Sequence, residues 1–167
     1  MTNTRILLVI DESEGTKRAV MYVARMVGRR RGFWLCLGHI LPLVPPQLLE
    51  FGGAENPVKE KRVGDFLEAD RRQWIAAAKK TVEPALNAAR ATLREAGVPA
   101  GALETRFFDP VEGRDGADEI LKIARGRKCH TVVIGRQSLS WFREFVQGDL
   151  AEEFVRRGKG FTIWVVE

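Results

Sequence analysis

Asp11, Ser13, Gly135, Arg136 and Gly148 are residues whose types and placement fit the handling of a phosphate-bearing ligand, while Ser138 and Asp149 in the same stretch weaken that fit. A β-branched run, Thr131-Val132-Val133-Ile134, empties into Gly135; a polar loop follows, and Gly148-Asp149 opens an amphipathic run. A strand ending in a glycine turn before a helix gathers free backbone N–H groups at the positive end of the helix dipole, a setting that binds anions. Asp11-Glu12-Ser13 follows a second apolar strand, Arg5 to Ile10. Asp11 either accepts bonds from ribose hydroxyls or helps hold a metal on phosphates, or it caps the next helix. Arg136 either neutralises a phosphate or is a solvated loop cation.

Other chemistries find little support. Cys36 and Cys129 form no CxxC pair and have no metal-ligand spacing, and Cys36 falls inside an apolar strand, as a small hydrophobe does. His39 and His130 have no ligand partners at useful spacing and read as structural histidines, so no zinc site is expected. No GxGxxG follows the first strand, and neither a GxxxxGK[ST] loop nor a GxSxG elbow occurs. No residue stands out as a general base. The one reaction left open is slow hydrolysis of a bound nucleotide, which needs only a positioned phosphate and a water.

The elements that must position these residues alternate along the chain. After the strand Arg5–Ile10, Ser13 can cap a helix whose apolar positions are Thr16, Ala19, Val20, Val23, Ala24 and Val27, with Gly32 as its stop. Phe33 to Leu41 reads as strand two. Leu43 to Gly64 is a long connection with Pro45-Pro46, Gly52-Gly53 and Pro57; it either packs on the body as a short helix or forms a flap over a ligand. Asp65 to Ala96 reads as one long helix with a Val82, Leu86, Ala89, Leu93 stripe and a kink or break expected near Pro84. Leu103 to Phe108 is strand three. Asp115 can cap a helix carrying Ala117, Ile120, Leu121 and Ala124. Thr131 to Ile134 is strand four. Trp141 to Arg157 reads as helix four, with Phe145, Leu150, Phe154 and Val155 apolar, and Phe161 to Val166 is strand five. Trp141 and Phe142 are expected to be buried. Five strands alternating with four helices make an open parallel α/β sheet with ligands at the carboxyl ends of its strands.

The length fits a single domain, residues 1–167, able to bury roughly 70% of the surface of its unfolded chain. With 45% hydrophobic and 29% charged residues the composition is that of a globular protein. No apolar run is long enough for a signal core or a membrane span, so a cytoplasmic location and no membrane contact are expected. The net charge is +5, but the bases are scattered among acids, and Arg29-Arg30-Arg31 sits where the first helix ends and cations complement its dipole. A nucleic-acid partner is not expected.

The order and spacing of these segments resemble the universal stress protein family. The opening Ile6-Leu7-Leu8-Val9-Ile10-Asp11-Glu12-Ser13 is similar to that family's strand-Asp-x-Ser start, and Leu37-Gly38-His39-Ile40-Leu41-Pro42 to its second strand. Gly116 to Ala124, then Thr131-Val132-Val133-Ile134-Gly135-Arg136, resembles the helix and strand before its phosphate loop. The resemblance implies an open five-stranded parallel sheet of order 3-2-1-4-5 with helices on both faces, of the adenine nucleotide alpha hydrolase-like kind. It implies a homodimer through the terminal strand 161–166, which suits an apolar edge that needs covering. It also implies a site for ATP or AMP with Mg²⁺, in which Asp11 lies near ribose and phosphates and the backbone of Ile40 meets adenine.

ATP-binding members of the family carry Gly, two residues, Gly, nine residues, then Gly and Ser or Thr. Gly135 and Gly148 match; Ser138 stands at the second glycine and Asp149 at the hydroxyl position. A carboxylate beside a polyphosphate repels it, by roughly 4 kcal/mol for two unit charges 4 Å apart at an effective dielectric of 20. The site therefore reads as degenerate, with weak or no ATP binding. The expected role is that of a dimeric stress-response binding and regulatory protein; the alternative is a switch in which ATP or AMP orders the 43–64 loop. An adenylating enzyme would need His-rich or Ser-Gly-rich nucleotide motifs that are missing.

Overall fold

Successive side chains of the first strand, β1 (Thr4–Val9), go to opposite sides, Ile6 and Leu8 to one and Leu7 and Val9 to the other, and all four are buried. A strand buried on both faces belongs in the middle of a parallel sheet covered by helices. In the computed structural model, which describes residues 4–49, 57–109, 116–136 and 150–167, β1 has that place. The order is β1, α1 (Glu14–Val27), β2 (Phe33–Ile40), a 3₁₀ turn at Pro46–Leu48, α2 (Pro57–Glu95), a second 3₁₀ turn at Ala100–Ala102, β3 (Leu103–Phe108), α3 (Gly116–Gly126), β4 (Thr131–Gly135), α4 (Leu150–Arg157) and β5 (Thr162–Val166). The sheet order is β3-β2-β1-β4-β5, with every neighbouring pair parallel. The expected architecture and strand order are the observed ones.

Each face has its own core. On one, α1 (Ala19, Val20, Val23) and α2 (Val82, Leu86, Ala89, Leu93) cover Ile6, Leu8, Leu35, Leu37 and Val133. On the other, α3 (Ala117, Ile120, Leu121, Ala124) and Phe154 of α4 cover Leu7, Val9, Cys36, Val132 and Ile134. The crossovers through α1 and α2 build outward from β1 to β3. The crossover after β3 returns to β4, so the strand order reverses between β1 and β4.

Four features of the helices differ from the sequence reading. The first helix stops at Val27 with Gly28 as its cap; Gly32, at φ +88°, instead turns the chain into β2. The second helix starts at Pro57 rather than Asp65, and its first residues escape a periodicity search because none of those with described exposure is buried. It runs through Pro84 without a break. Pro84 lies on the exposed side, where the carbonyl it leaves unpaired faces water. In α4, Phe154 is fully buried while Val155, about 100° further round the helix, is 73% exposed and no part of the core. Asp115, Trp141, Phe142 and Phe145 lie outside the described residues.

Candidate functional site

The carboxyl ends of β1 and β4 are neighbours, paired in register through Leu8 and Val133. β1 delivers Asp11 to this rim, 8% exposed, and Ser13 is the N-cap of α1. The Asp11 Oδ1 accepts from the Ser13 N–H at 2.9 Å, from the Ser13 hydroxyl at 2.5 Å and from the Thr16 hydroxyl at 2.5 Å. The Ser13 Oγ in turn accepts from the Thr16 N–H at 3.1 Å, and the Thr16 Oγ1 accepts from the Asp11 N–H at 3.3 Å. The carboxylate is thus locked into the first turn of α1, with its charge held beside the positive end of the helix.

β4 meets the same turn. A Cβ built on Gly135 would lie 2.2 Å from the Gly15 carbonyl carbon, 2.3 Å from its oxygen and 2.7 Å from the Thr16 nitrogen. Only a residue without a side chain allows strand and helix backbones to come this close. Gly135 therefore joins Asp11, Ser13 and Thr16 in one constellation at the point where the strand order reverses. Arg136 comes next. Its N–H donates to the Val166 carbonyl at 2.8 Å, and its half-exposed guanidinium pairs with the Glu167 carboxylate. Glu167 also accepts, at its backbone carbonyl, from the Arg18 Nε at 2.6 Å. A phosphate reaching Arg136 would compete with that carboxylate.

Ile40 ends β2 on the other side of β1. Its side chain is 1% exposed, packed in the α3–α4 core, and only its backbone stands at the rim. Ser138, Gly148 and Asp149 lie outside the described residues, as do residues 50–56 of the 43–64 connection. Of that connection, Leu48 and Leu49 sit against Gly64, Leu67 and Arg71 of α2.

Two participants are absent from the sequence reading of the site. Thr16 reads there as a helix-face position, although Asp-x-Ser-x-x-Thr is the spacing of a cap whose hydroxyls converge on one carboxylate. His39 is buried, and its Nδ1 bonds the Ile10 carbonyl at 2.8 Å; since a carbonyl only accepts, Nδ1 carries the proton. Burial pushes the His39 pKa below the usual 6.5, partly opposed by the Ile10 carbonyl and the charges of Asp11 and Glu12. His39 thereby ties the tip of β2 to the tip of β1. Beside Asp11, a cavity of about 270 Å³ opens between α1 and α2 over Val20, Met21, Ala85 and Ala89. No cluster of three or more His, Cys, Asp or Glu side chains fit to hold a metal exists among the described residues.

The model of the universal stress protein family matches residues 2–160. The chain belongs to that family. A universal stress protein family member from Burkholderia pseudomallei is 18% identical over 98% of this chain and 95% of its own, with a TM-score of 0.55. The Archaeoglobus fulgidus universal stress protein in complex with dAMP is 19% identical over the full length of both chains, with a TM-score of 0.53. A family protein from Arabidopsis thaliana with AMP bound is 16% identical over 98% of this chain and 90% of its own, with a TM-score of 0.56. At these identities the likeness is one of fold. Among curated proteins none matches. No helix among the described residues of this universal stress protein is long and apolar enough to cross a membrane.

Proposed function

We propose that this universal stress protein is a binding and regulatory protein whose adenine-nucleotide site is degenerate, with weak or no binding of ATP. The observation that carries the reading is the Asp11 constellation: a buried carboxylate where the tips of β1 and β4 meet, against a strand backbone kept bare by Gly135. In this reading the ribose hydroxyls reach Asp11, adenine meets the backbone at Ile40, and phosphate lies along Gly135, Arg136 and Ser138 toward Gly148. Fold relatives solved with AMP and dAMP support a nucleoside monophosphate as the ligand class. Asp149 beside the distal phosphates disfavours the triphosphate. Mg²⁺ takes one or two carboxylates plus phosphate oxygens, and Asp11 with Asp149 could supply them; it would offset the Asp149 charge. Catalysis is at most slow hydrolysis of a bound nucleotide.

Heat-denaturing the purified chain and assaying the supernatant for adenine nucleotide, followed by calorimetric titration with AMP and ATP with and without Mg²⁺, tests this. AMP is expected to bind more tightly than ATP. The Ser138→Gly, Asp149→Ser double variant is expected to tighten ATP about tenfold or more, since it removes one negative charge from the phosphate path and restores the glycine of the ATP-binding pattern. ATP affinity that is unchanged or weaker in the double variant refutes the mechanism. Submillimolar ATP binding by the unaltered chain would instead favour the switch, in which nucleotide orders the 43–64 connection.

The homodimer belongs to the same proposal. β5 is an end strand of the sheet, and its Ile163, Trp164, Val165 and Val166 are half-buried in the single chain. An antiparallel second β5 would satisfy its open edge.

A further inference from the structure

The opposite edge of the sheet has a different chemistry. β3 is its outer strand, paired with β2 on one side. The Phe108 carbonyl accepts from the Leu41 N–H at 2.9 Å, so the backbone groups of Phe108 turn inward to the sheet. By the alternation of a strand, those of Phe107 and Thr105 turn outward to the open edge. The side chains of these two residues lie toward α2, where a groove of about 480 Å³ runs between α2 and the strand. Its α2 wall carries Lys79, Lys80 and Arg90 against the single acid Glu83. All four are exposed, and none forms an ion pair among the described residues. The Lys79 ammonium stands 5.4 Å from the centre of the Phe107 ring. On the strand side of the groove, the Thr105 hydroxyl is buried with no hydrogen-bond partner among the described residues.

An open strand edge with three exposed cations beside it asks for one kind of occupant. We propose that this groove receives an extended acidic segment of a partner protein, added to the sheet as a sixth strand beside β3. Main-chain bonds to Thr105 and Phe107 hold the segment, and every second side chain, an Asp or Glu, faces Lys79, Lys80 and Arg90. The site is independent of the nucleotide site at the tips of β1 and β4.

A fluorescein-labelled Glu-Val-Asp-Val-Glu-Val peptide, titrated against the whole chain by anisotropy, is the probe, with Lys-Val-Lys-Val-Lys-Val as its counterpart. The acidic peptide is expected to bind, more weakly as salt rises, and the basic one not. Lys79→Glu with Lys80→Glu, both exposed on α2, is expected to weaken binding about tenfold or more. Hydrogen exchange at the Thr105 and Phe107 amides is expected to slow with peptide. Thr105→Pro, which deletes one outward N–H from an edge strand that tolerates proline, is expected to weaken binding with an unchanged circular dichroism spectrum. Equal binding of the two peptides, or none by either, overturns the proposal. So does acidic-peptide binding that inorganic polyphosphate displaces while both amides exchange freely, since that is an anion patch without strand addition.

Discussion

Asp11 does structural work with the same carboxylate that stands at the rim proposed to take the ligand. Three donors on its Oδ1 fix the entry of α1, so a substitution there alters the helix start together with any ligand contact. His39 separates the two more cleanly, because its ring buttresses the rim from within. Its pKa is lowered by burial, so above the free value of 6.5 both folded and unfolded chains carry it neutral and it contributes no pH dependence. Below that value the unfolded chain takes up a proton that the fold resists, and stability falls as pH drops toward the folded value. The urea midpoint is expected to fall between about pH 7 and about pH 5, and to fall less in His39→Asn, which keeps a donor for the Ile10 carbonyl but does not titrate. Equal slopes in the two proteins would remove His39 as the source. Asp11, Ser13 and Gly135 were legible because an acid, a capping residue and a glycine stood at strand ends. The His39 bond was not, since it joins residues 29 apart in sequence and exists only once β1 and β2 are paired.

At the scale of elements, continuous apolar runs and 3.6-residue stripes revealed which strands and helices exist, because each is buried against a sheet. The start of α2 stayed hidden for the converse reason. The helix is 39 residues long, and it buries a stripe only from Val82 onward. At 1.5 Å per residue, its first 25 residues span about 37 Å in which no side chain with described exposure is buried, so no period marks them. The junction of β4 with α1 gives a sharper test of how the elements fit. Gly135→Ala forces its new methyl into the Gly15 carbonyl, which is backbone and cannot rotate away. It is expected to cost about 3 kcal/mol, or roughly 10 °C in Tm, by thermal denaturation. Gly101→Ala, whose methyl would meet nothing within 4 Å, is expected to leave Tm nearly unchanged. A Gly135→Ala protein as stable as the Gly101→Ala one would mean that β4 and α1 do not touch there.

For the whole molecule, the two edges of the sheet carry its contrast. β3 offers a basic groove, whereas β5 offers an apolar strand, Thr162-Ile163-Trp164-Val165-Val166, whose Trp164 meets Tyr22 of α1 edge to face at 5.6 Å. An open strand without proline or inward charge is prone to pair with another edge, and in the proposed homodimer that edge is a second β5. Val165 is half-buried and lies one residue from Trp164, the middle of β5, so an antiparallel partner centred on the strand would bring the two Val165 side chains near the twofold axis. Val165→Lys places an ammonium from each copy there, and like charges facing across strands destabilise the pair. In the single chain the long lysine stem can cover the same apolar surface while its charge reaches water, so the monomer is expected to keep its fold. Sedimentation velocity is expected to show the unaltered chain as a dimer and the variant shifted toward monomer, with matching circular dichroism spectra. A variant that stays fully dimeric would rule out the terminal strand and direct attention to another surface for self-association.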